Sequence, residues 1–401
     1  MQGLEIAVVG GGLAGSVAAL ALARAGRKVL AIAPPTSQKD QRTTALMDHS
    51  IQFLERLGVW QDIAPSAAPL SVMQIIDGTQ RLLRAPTAQF RAQDVGLYAF
   101  GYNMPNHALL DVLDAAVSAE PNIERHDSEV ASYDFGSGKV ALTLSDGSVF
   151  ETKFVVAADG RNSKAREAAG IGTRRWSYPQ TALVLNFGHS LGHGNISTEF
   201  HTESGPFTQV PLPGSRSSLV WVVKPKQAEE LLQLSIEELS RRVEERMQSM
   251  LGKVTVEAAP QAWPLSSLMA DRFGKGRLAL IGEAAHAFPP IGAQGLNLSL
   301  RDIITLHDEF ATAAADRAIR ADAGDHFNSR RRADVMTRTL GVDLLNRSLL
   351  SDFLPTQMVR AAGLHVLTNA PPLRNLLMRE GIEPGRGLRA VMESLRKEVR
   401  R

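Results

Sequence analysis

The chain contains no cysteine, few aromatic residues and no long apolar run. Without cysteine, disulfides, thiolate metal sites and thiol catalysis are excluded, which suits a cytoplasmic enzyme. No apolar stretch approaches the roughly 20 residues that a bilayer-spanning helix needs. A first strand within five residues of Met1 leaves no room for a signal peptide. We therefore expect a cytoplasmic protein that is either soluble or attached peripherally to the inner face of a membrane.

Neither sign of charge dominates the chain. The 44 Lys and Arg residues nearly balance 42 Asp and Glu residues, and such a balance predicts no nucleic-acid partner. The compact basic run Arg330–Arg332 fits the solvated face of a helix. A chain of 401 residues with 44% hydrophobic and 21% charged residues is long enough for two or three well-filled globular domains.

A short apolar strand near the N-terminus runs directly into closely spaced glycines. Gly10 allows a tight turn, Gly12 lets the backbone approach a pyrophosphate, and Gly15 lets the following helix, Leu13 to Ala25, pack against the strand. Phosphates would lie at the N-terminus of this helix, where unpaired N–H groups favour negative charge. The motif predicts a dinucleotide site without choosing between NAD and FAD.

The second strand, Lys28 to Ala33, lacks the acidic residue that usually ends it and binds the adenosine ribose. Ala33 and Pro34 stand there instead. The hypothesis of an ordinary NAD dehydrogenase therefore lacks the residue that would support it most. A Rossmann-like strand without any nucleotide stays open as the alternative.

The remaining pattern alternates between helices and strands. We predict helices at Asp48–Leu57, at Asn106–Val117 with Asn106 as N-cap, and from the capping box Ser235–Glu238 to a stop at Gly252. Strands are predicted at Ser71–Ile76, Val140–Leu144, Phe154–Ala158, Ala182–Phe187, Thr208–Leu212, Ser218–Val223 and Leu278–Ile281. Beyond Asp325 the chain reads as helical, with a break at Asn369–Pro372.

Two further segments follow buried strands. Asp159-Gly160 places a carboxylate and a flexible backbone at the carboxyl end of a strand, where open α/β sheets bind ligands. A plain Asp-Gly turn is the alternative. The second segment runs from Gly282-Glu283 to His286 and continues through Pro290–Asn297 into a helix that we expect to begin near Leu296.

Together the three segments resemble the fingerprints of the class A flavoprotein aromatic hydroxylases, over most of the chain. The sequence is most similar to the UbiH-like ubiquinone-biosynthesis hydroxylases. The supporting matches, in that family's order, are Arg42–Leu46, Gly205-Pro206, Pro211-Leu212, Val220-Trp221, Trp263–Leu265, Pro290–Asp302 and the stretch from Asp343 to Pro372.

This resemblance implies a bound FAD. The expected cofactor-binding residues are Gly10, Gly12, Leu13, Ala14, Gly15, Arg42, Asp159, Gly160, Glu283, Pro290, Gly292, Ala293, Gly295, Leu296 and Asn297. Glu283 replaces the family's Asp, which holds the ribityl chain, and Gly292-Ala293 reverses its Ala-Gly order. Arg42 is either a pyrophosphate clamp or a surface charge. The helix N-terminus near Leu296 would stabilise negative charge on the reduced ring.

The resemblance also implies the reaction. NADH or NADPH would reduce the flavin, O2 would form a flavin hydroperoxide, and one oxygen would transfer to an aromatic ring. The implied substrate is a lipophilic polyprenyl-phenol of the ubiquinone pathway, and association with a membrane or a biosynthetic complex is open. Because the chemistry is borne by the flavin, no catalytic side chain is named. We predict no metal site, since Gly192 disfavours a helix between His189 and His193.

Two alternatives stay open. One is a related flavoprotein reductase that saturates prenyl double bonds. The other is a catalytically silent subunit that binds a lipid or a biosynthetic partner. Ala33 and Glu283 are compatible with this alternative, because both depart from the usual residues at their positions.

The predicted fold class is α/β. A Rossmann-like FAD-binding domain, formed by residues 1–70, 100–175 and 265–325, is interleaved with a mixed β-sheet substrate domain, formed by residues 71–99 and 176–264. A C-terminal helical region occupies residues 326–401.

Overall fold

The structure is a computed structural model that describes residues 3–35, 40–79, 86–136, 138–290, 294–311 and 318–350, with side chains except for Gln294 and residues 338–350. The strands are β1 (Ile6–Val9), β2 (Val29–Ile32), β3 (Thr43–Met47), β4 (Ala68–Pro69), β5 (Val72–Asp77), β6 (Ala88–Arg91), β7 (Gly101–Pro105), β8 (Ile123–His126), β9 (Val130–Phe135), β10 (Val140–Leu144), β11 (Val149–Thr152), β12 (Phe154–Ala157), β13 (Thr173–His189), β14 (Ile196–Thr202), β15 (Gly205–Leu212), β16 (Arg216–Val223), β17 (Val254–Val256), β18 (Gln261–Ala270), β19 (Gly274–Lys275), β20 (Leu278–Leu280) and β21 (His286–Ala287). The helices are α1 (Leu13–Arg24), α2 (Asp48–Arg56), α3 (Trp60–Ile63), α4 (Asn106–Ala119), α5 (Lys164–Ala168), α6 (Pro225–Leu232), α7 (Ile236–Arg246), α8 (Gln294–Ala311) and α9 (Ala323–Leu350).

A largely parallel sheet forms the first layer, in the order β19-β20-β12-β1-β2-β8. Its central strands β1 and β12 are buried along their whole length, as expected for parallel strands that are covered on both faces. Helix α1 packs on this sheet and is buried from Gly15 to Ala23. These features confirm the predicted α/β fold class with a Rossmann-like sheet.

A second, mixed sheet has the order β21-β18-β13-β16-β15-β14-β5-β6, with β17 paired to β13. The alternation of residues along β13 separates its two faces. Leu183, Leu185 and Phe187 form a core with residues of α6 and α7. Val184 and Asn186 point the opposite way. We call the face that carries these two residues and their cross-strand partners the inner face.

The inner face is turned toward β3 and β7, which pair with each other in a separate three-stranded sheet of the order β3-β7-β4. Thr43 Oγ1 lies 2.9 Å from Ser218 Oγ, and Asn186 Nδ2 donates to the carbonyl of Gln41 at 3.1 Å. In addition, Asn103 Nδ2 donates to the carbonyl of Pro211 at 2.8 Å. The segment just before and along β3 therefore lies against this face.

Most predicted elements are present, several with different ends, and some observed elements were not predicted. Asn106 is the first residue of α4 rather than its cap, because the chain enters from extended Pro105 and the Asn106 side chain bonds to Thr44 and Asp40. Ser235 caps α7 as predicted, but that helix ends at Arg246, before Gly252. Helix α6, which begins with Pro225, was not predicted, although proline at the first helical position is a known start signal. The break predicted at residues 369–372 lies outside the described residues.

Candidate cofactor site

The three sequence segments meet at one edge of the parallel sheet. Because β1, β12 and β20 are parallel neighbours, with Val9 beside Ala157 and Ala157 beside Leu280, their carboxyl ends lie side by side. Gly10, Asp159 and Gly282 follow these ends within two residues. Residues separated by more than 100 positions thus form one site.

The glycine turn after β1 leaves space for a ligand at only one of its positions. A side chain at Gly10 would place its Cβ 2.2 Å from the carbonyl oxygen of Ala158, and φ there is +120°. A Cβ at Gly15 would lie 1.8 Å from the carbonyl oxygen of Gly10. These two glycines are required by packing. A Cβ at Gly12 would contact nothing within 4 Å, so the backbone faces open space there.

Gly12 is also the N-cap of α1. No side chain caps this helix, and no acidic residue lies in its first turn. The free N–H groups and the positive end of the helix dipole therefore face the open space in front of Gly12. A phosphate or pyrophosphate satisfies both the donors and the charge. The neighbouring residues Leu13 and Ala14 are half-buried against the same turn.

The Asp159 segment also presents an unsatisfied group. Asp159 Oδ2 accepts from the N–H of Ala165 at 3.2 Å, whereas the buried Oδ1 has no hydrogen-bond partner among the described residues. Buried polar atoms are rarely left without a partner, so a ligand or water donor is expected. Gly160 has φ +80° and open space where a Cβ would lie. This arrangement suits a hydroxyl-bearing ligand beside Asp159.

Arg166 joins two of the segments and was not singled out from the sequence. The guanidinium is buried and donates to the carbonyls of Ala284 at 2.7 Å and Arg161 at 2.8 Å. Burial lowers the pKa of Arg166. The sequence shows only an arginine among the alanines of α5. Its hydrogen-bond partners depend on tertiary structure and could not be predicted.

Arg42 lies at the rim of the site. The side chain forms a two-point ion pair with Asp40 at 2.8 and 2.9 Å and stacks over the ring of Trp263 at 4.8 Å. Burial works against its charge, but the hydrogen bond and charge of Asp40 raise the pKa of Arg42. Trp263 is 43% exposed. The guanidinium is held on the inner face of the mixed sheet, and the Arg42 side chain is 45% exposed.

The turn at Gly282-Glu283 rests on a buried charge network. Asp302 Oδ2 accepts from the Gly282 N–H at 3.3 Å and lies 2.7 Å from His286 Nε2, while Oδ1 accepts from Arg331 at 2.8 Å. Burial opposes its ionisation, but the charges of His286 and Arg331 outweigh this effect and lower the pKa of Asp302. Glu283 is exposed beside Arg161, 3.4 Å from that guanidinium.

The interpretation of Arg330–Arg332 as a solvated helix face is wrong for its middle residue. Arg331 is only 4% exposed and pairs with the fully buried Asp302 and with Asp334. A buried arginine is compatible with folding because these two carboxylates compensate its charge. The pairing of Asp302 with Arg331 could not be recognised from the sequence, since the two residues lie on different helices.

The last segment is partly outside the described residues, which exclude Gly292 and Ala293. Pro290 and Gly295 are exposed, Leu296 is half-buried, and α8 begins at Gln294, two residues before the expected Leu296. The side chain of Asn297 forms hydrogen bonds with residues at the junction of β3 and α2. Its Oδ1 accepts from the N–H of Met47 and from Ser50 Oγ, and its Nδ2 donates to the carbonyl of Ala45. A cofactor contact by Asn297 therefore stays a prediction that concerns its backbone.

The residues present fit an adenine dinucleotide. An uncapped helix N-terminus accepts phosphates, an orphaned carboxylate oxygen accepts a hydroxyl, and Arg42 supplies a positive rim. His189, one of the two spaced histidines, is bonded to the carbonyl of Leu191 and to Ser217 Oγ. In the described part of the chain, no cluster of three His, Asp or Glu residues is arranged for a metal ion.

Comparison with known proteins identifies an FAD-binding family. A family model described as an FAD binding domain matches residues 3–339. The chain is 32% identical to the ubiquinone hydroxylase UbiL of Rhodospirillum rubrum, over 96% of this chain and 93% of that protein. It is 30% identical to the 3-demethoxyubiquinol 3-hydroxylase of Escherichia coli, over 94% of this chain and 98% of that protein.

Solved structures share the fold. The p-nitrophenol 4-monooxygenase PnpA of Pseudomonas putida superimposes with a TM-score of 0.76 at 20% identity, covering 96% of this chain and 100% of that one. A single-residue variant of HpxO from Klebsiella pneumoniae, complexed with FAD, gives 0.74 at 17% identity, over 95% and 99% of the two chains. At these identities the likeness shows the fold alone.

Proposed function

The chain belongs to the FAD-binding-domain family, and we propose that it hydroxylates the aromatic ring of a polyprenyl-phenol intermediate of ubiquinone biosynthesis. It is an FAD-dependent monooxygenase with NADH or NADPH as co-substrate. The observation that carries the proposal is the dinucleotide cradle at Gly10–Gly15, in a chain that matches ubiquinone hydroxylases along nearly their whole length.

The cofactor is assigned to the edge where the three segments meet. Gly12 and the first turn of α1 would bind the pyrophosphate, and Arg42 would add a positive charge beside it. Asp159 and Glu283 would accept hydrogen bonds from hydroxyl groups of the cofactor. The residues Leu13, Ala14, Gly160, Pro290, Gly292, Ala293, Gly295, Leu296 and Asn297 would complete the site. When bound, FAD supplies the redox chemistry that takes electrons from NADH or NADPH and activates O2.

The protein itself positions the aromatic ring and excludes water. The inner face of the mixed sheet lies against the Arg42 segment, and its residues Val184 and Val220 are apolar and covered or half-covered. An aromatic ring bound there would be held beside the cofactor edge in an environment of low polarity. Domain boundaries at residues 1–70, 100–175 and 265–325 for cofactor and at 71–99 and 176–264 for substrate belong to this proposal.

The proposal includes a cytoplasmic location with peripheral attachment at the inner face of the membrane. Among the described residues, no helix is long and apolar enough to cross a bilayer. A polyprenyl substrate partitions into lipid, so the enzyme would meet it at the membrane surface or within a biosynthetic complex. Flotation with liposomes that contain the substrate tests this part: the protein should float with them and stay in solution without them.

The function is tested with purified protein and a prenylated phenol. We expect a yellow protein that consumes NADH or NADPH and O2 and adds one oxygen atom to the phenol, as measured by mass spectrometry. Saturation of a prenyl double bond without O2 would instead identify a reductase. A colourless protein that binds no added FAD would identify a silent subunit. Deletion of the gene should lead to accumulation of the unhydroxylated precursor.

A further inference from the structure

One row of residues crosses the inner face and carries polar groups toward both of its ends. The cross-strand register of β5, β14, β15, β16, β13 and β18 places six residues side by side. In order across the sheet, this middle row consists of Ile75, Glu199, Thr208, Val220, Val184 and Gln261.

Glu199 is fixed in place by two neighbours. Its Oε1 lies 2.8 Å from His201 Nε2, and its Oε2 accepts from Thr208 Oγ1 at 3.2 Å. The side chain of His201 is 8% exposed and that of Glu199 is 22% exposed. Two bonds leave lone pairs on both carboxylate oxygens. The carboxylate is thus oriented, partly shielded from water and still able to accept another hydrogen bond.

The floor between the two polar groups is apolar. Beyond Thr208 the row continues with Val220 and Val184 and then reaches Gln261. Gln261 Oε1 is buried and has no hydrogen-bond partner among the described residues. At about 4.8 Å per strand, Glu199 and Gln261 are roughly 19 Å apart. The row matches a ligand with a hydroxyl at one end and a long apolar body.

The rows on either side of this row contact the residues around Arg42. In the next row toward one end of the strands, Ser218 and Asn186 bond to Thr43 and Gln41. In the next row toward the other end, Trp263 stacks with Arg42. Both flanking rows therefore touch the residues around Arg42, and the middle row lies between them.

Resting on the proposed function, we propose that Glu199 is a catalytic residue: it accepts the hydrogen bond and then the proton of the substrate's phenolic hydroxyl. Thr208 and His201 are positioning residues that hold the carboxylate. An ionised acceptor increases electron density on the phenol oxygen and hence on the ring carbons that are attacked. Such proton transfer typically contributes a factor of roughly 10² to 10⁴.

The proton balance is closed. Overall, the phenol, O2, NAD(P)H and one proton yield the dihydroxybenzene, water and NAD(P)⁺. As the new ring C–O bond forms and the O–O bond breaks, the phenolic O–H bond also breaks and its proton moves to Glu199. The attacked carbon then loses its hydrogen as a proton, which is taken up by the second oxygen atom as that atom is released as water. Aromaticity is restored, and Glu199 returns its proton to the phenol oxygen. The carboxylate ends in its starting state.

Two probes distinguish a catalytic role of Glu199 from a purely structural one. The probes are 2-geranylphenol and its methyl ether, which has the same apolar body without the hydroxyl proton. Binding is measured by quenching of tryptophan fluorescence, with Trp263 on the same face, and turnover is measured by product mass. The variants are Glu199→Gln and Glu199→Leu, with Glu257→Gln as the matched control because Glu257 pairs with Arg216 on the exposed surface.

We expect FAD-loaded wild-type protein to bind the phenol about 10 to 100 times more tightly than the ether, the range typical of hydrogen bonds to a charged group. Both Glu199 variants should lose most of this preference, and Glu199→Gln should lower turnover of the phenol at least 10-fold with FAD content unchanged. Thr208→Val should give an intermediate loss, and Glu257→Gln should match wild type.

A Glu199→Gln protein that keeps the wild-type preference and turnover would overturn the inference, even if the enzyme is a hydroxylase. Failure of wild type to hydroxylate the phenol would instead count against the proposed function, and the binding preference would still test Glu199. A loss of FAD or of thermal stability in both Glu199 variants, with an unchanged preference, would show a structural role only.

Discussion

Replacing Asp302 by asparagine removes a negative charge from the centre of the structure while keeping nearly the same shape. Its carboxylate receives hydrogen bonds from Arg331 at 2.8 Å and from the Gly282 N–H at 3.3 Å, and contacts His286 at 2.7 Å. The side chains of Asp302, His286 and Arg331 are between 2% and 5% exposed. In the Asp302→Asn variant, Arg331 would be left buried with only Asp334 to compensate its charge.

Removal of one partner from a buried ion pair costs about 3–5 kcal/mol, because the other charge is left uncompensated in a medium of low polarity. We expect the free energy of unfolding to fall by about this amount. The double variant Asp302→Asn with Arg331→Met should recover part of the loss, since it removes both charges. The surface substitution Glu257→Gln should change stability by less than about 1 kcal/mol.

The pH dependence provides a second measure of the same network. The pKa of Asp302 is lowered in the folded protein from its ordinary value of 3.8, against the effect of burial, by His286 and Arg331. A lowered pKa means that the folded state holds the ionised form more strongly than the unfolded state. The resulting stability is present above about pH 4 and is lost as the pH falls through the folded pKa.

Urea unfolding of the FAD-loaded protein, followed by flavin fluorescence and circular dichroism at several pH values, measures both effects. The Asp302→Asn protein should be less stable at pH 7 and should lose less stability on acidification than wild type. A loss below about 1 kcal/mol at pH 7, or an acid limb identical to that of wild type, would refute the electrostatic reasoning.

Three further predictions concern single residues. Gly12→Ala should keep the thermal stability of the apo-protein, because its Cβ meets open space, but should weaken FAD binding at least 10-fold. Gly15→Ala should fail to fold or to bind FAD, because its Cβ would overlap the Gly10 carbonyl. FAD titration and thermal melts distinguish the two variants, and equal behaviour would contradict a phosphate site at Gly12. Arg42→Met should weaken FAD binding measurably and make it less dependent on salt, while an unchanged salt dependence would mark Arg42 as a surface charge. Ser235→Ala removes the cap of α7 and should cost about 1 kcal/mol in urea unfolding without changing turnover.

The sequence was sufficient for features that local rules determine. The glycine turn, the buried strand that precedes it and the Ser235 cap each depend on residues within one short segment. Such features follow from backbone conformation and from the period of apolar residues. A glycine-containing turn was also predicted after each of three buried strands, and the structure brings these turns together at one edge of the parallel sheet.

Features that depend on tertiary packing were missed. Arg331 and Asp302 are 29 positions apart on two helices, so sequence alone made Arg331 look solvated. Helix α7 ends at Arg246, before the predicted stop at Gly252. The Glu199–His201 contact obeys the two-residue period of a strand and could have been suggested, but which face of the sheet carries it follows only from the packing of α6 and α7.

Incorporation of labelled oxygen tests the central claim most directly. The FAD-loaded protein is mixed with NADH or NADPH, 2-geranylphenol and ¹⁸O2, and the product is examined by mass spectrometry. A flavin-dependent hydroxylase incorporates one ¹⁸O atom into the ring for each turnover and forms no product without O2. A product that contains no label, or that forms equally without O2, would contradict the account.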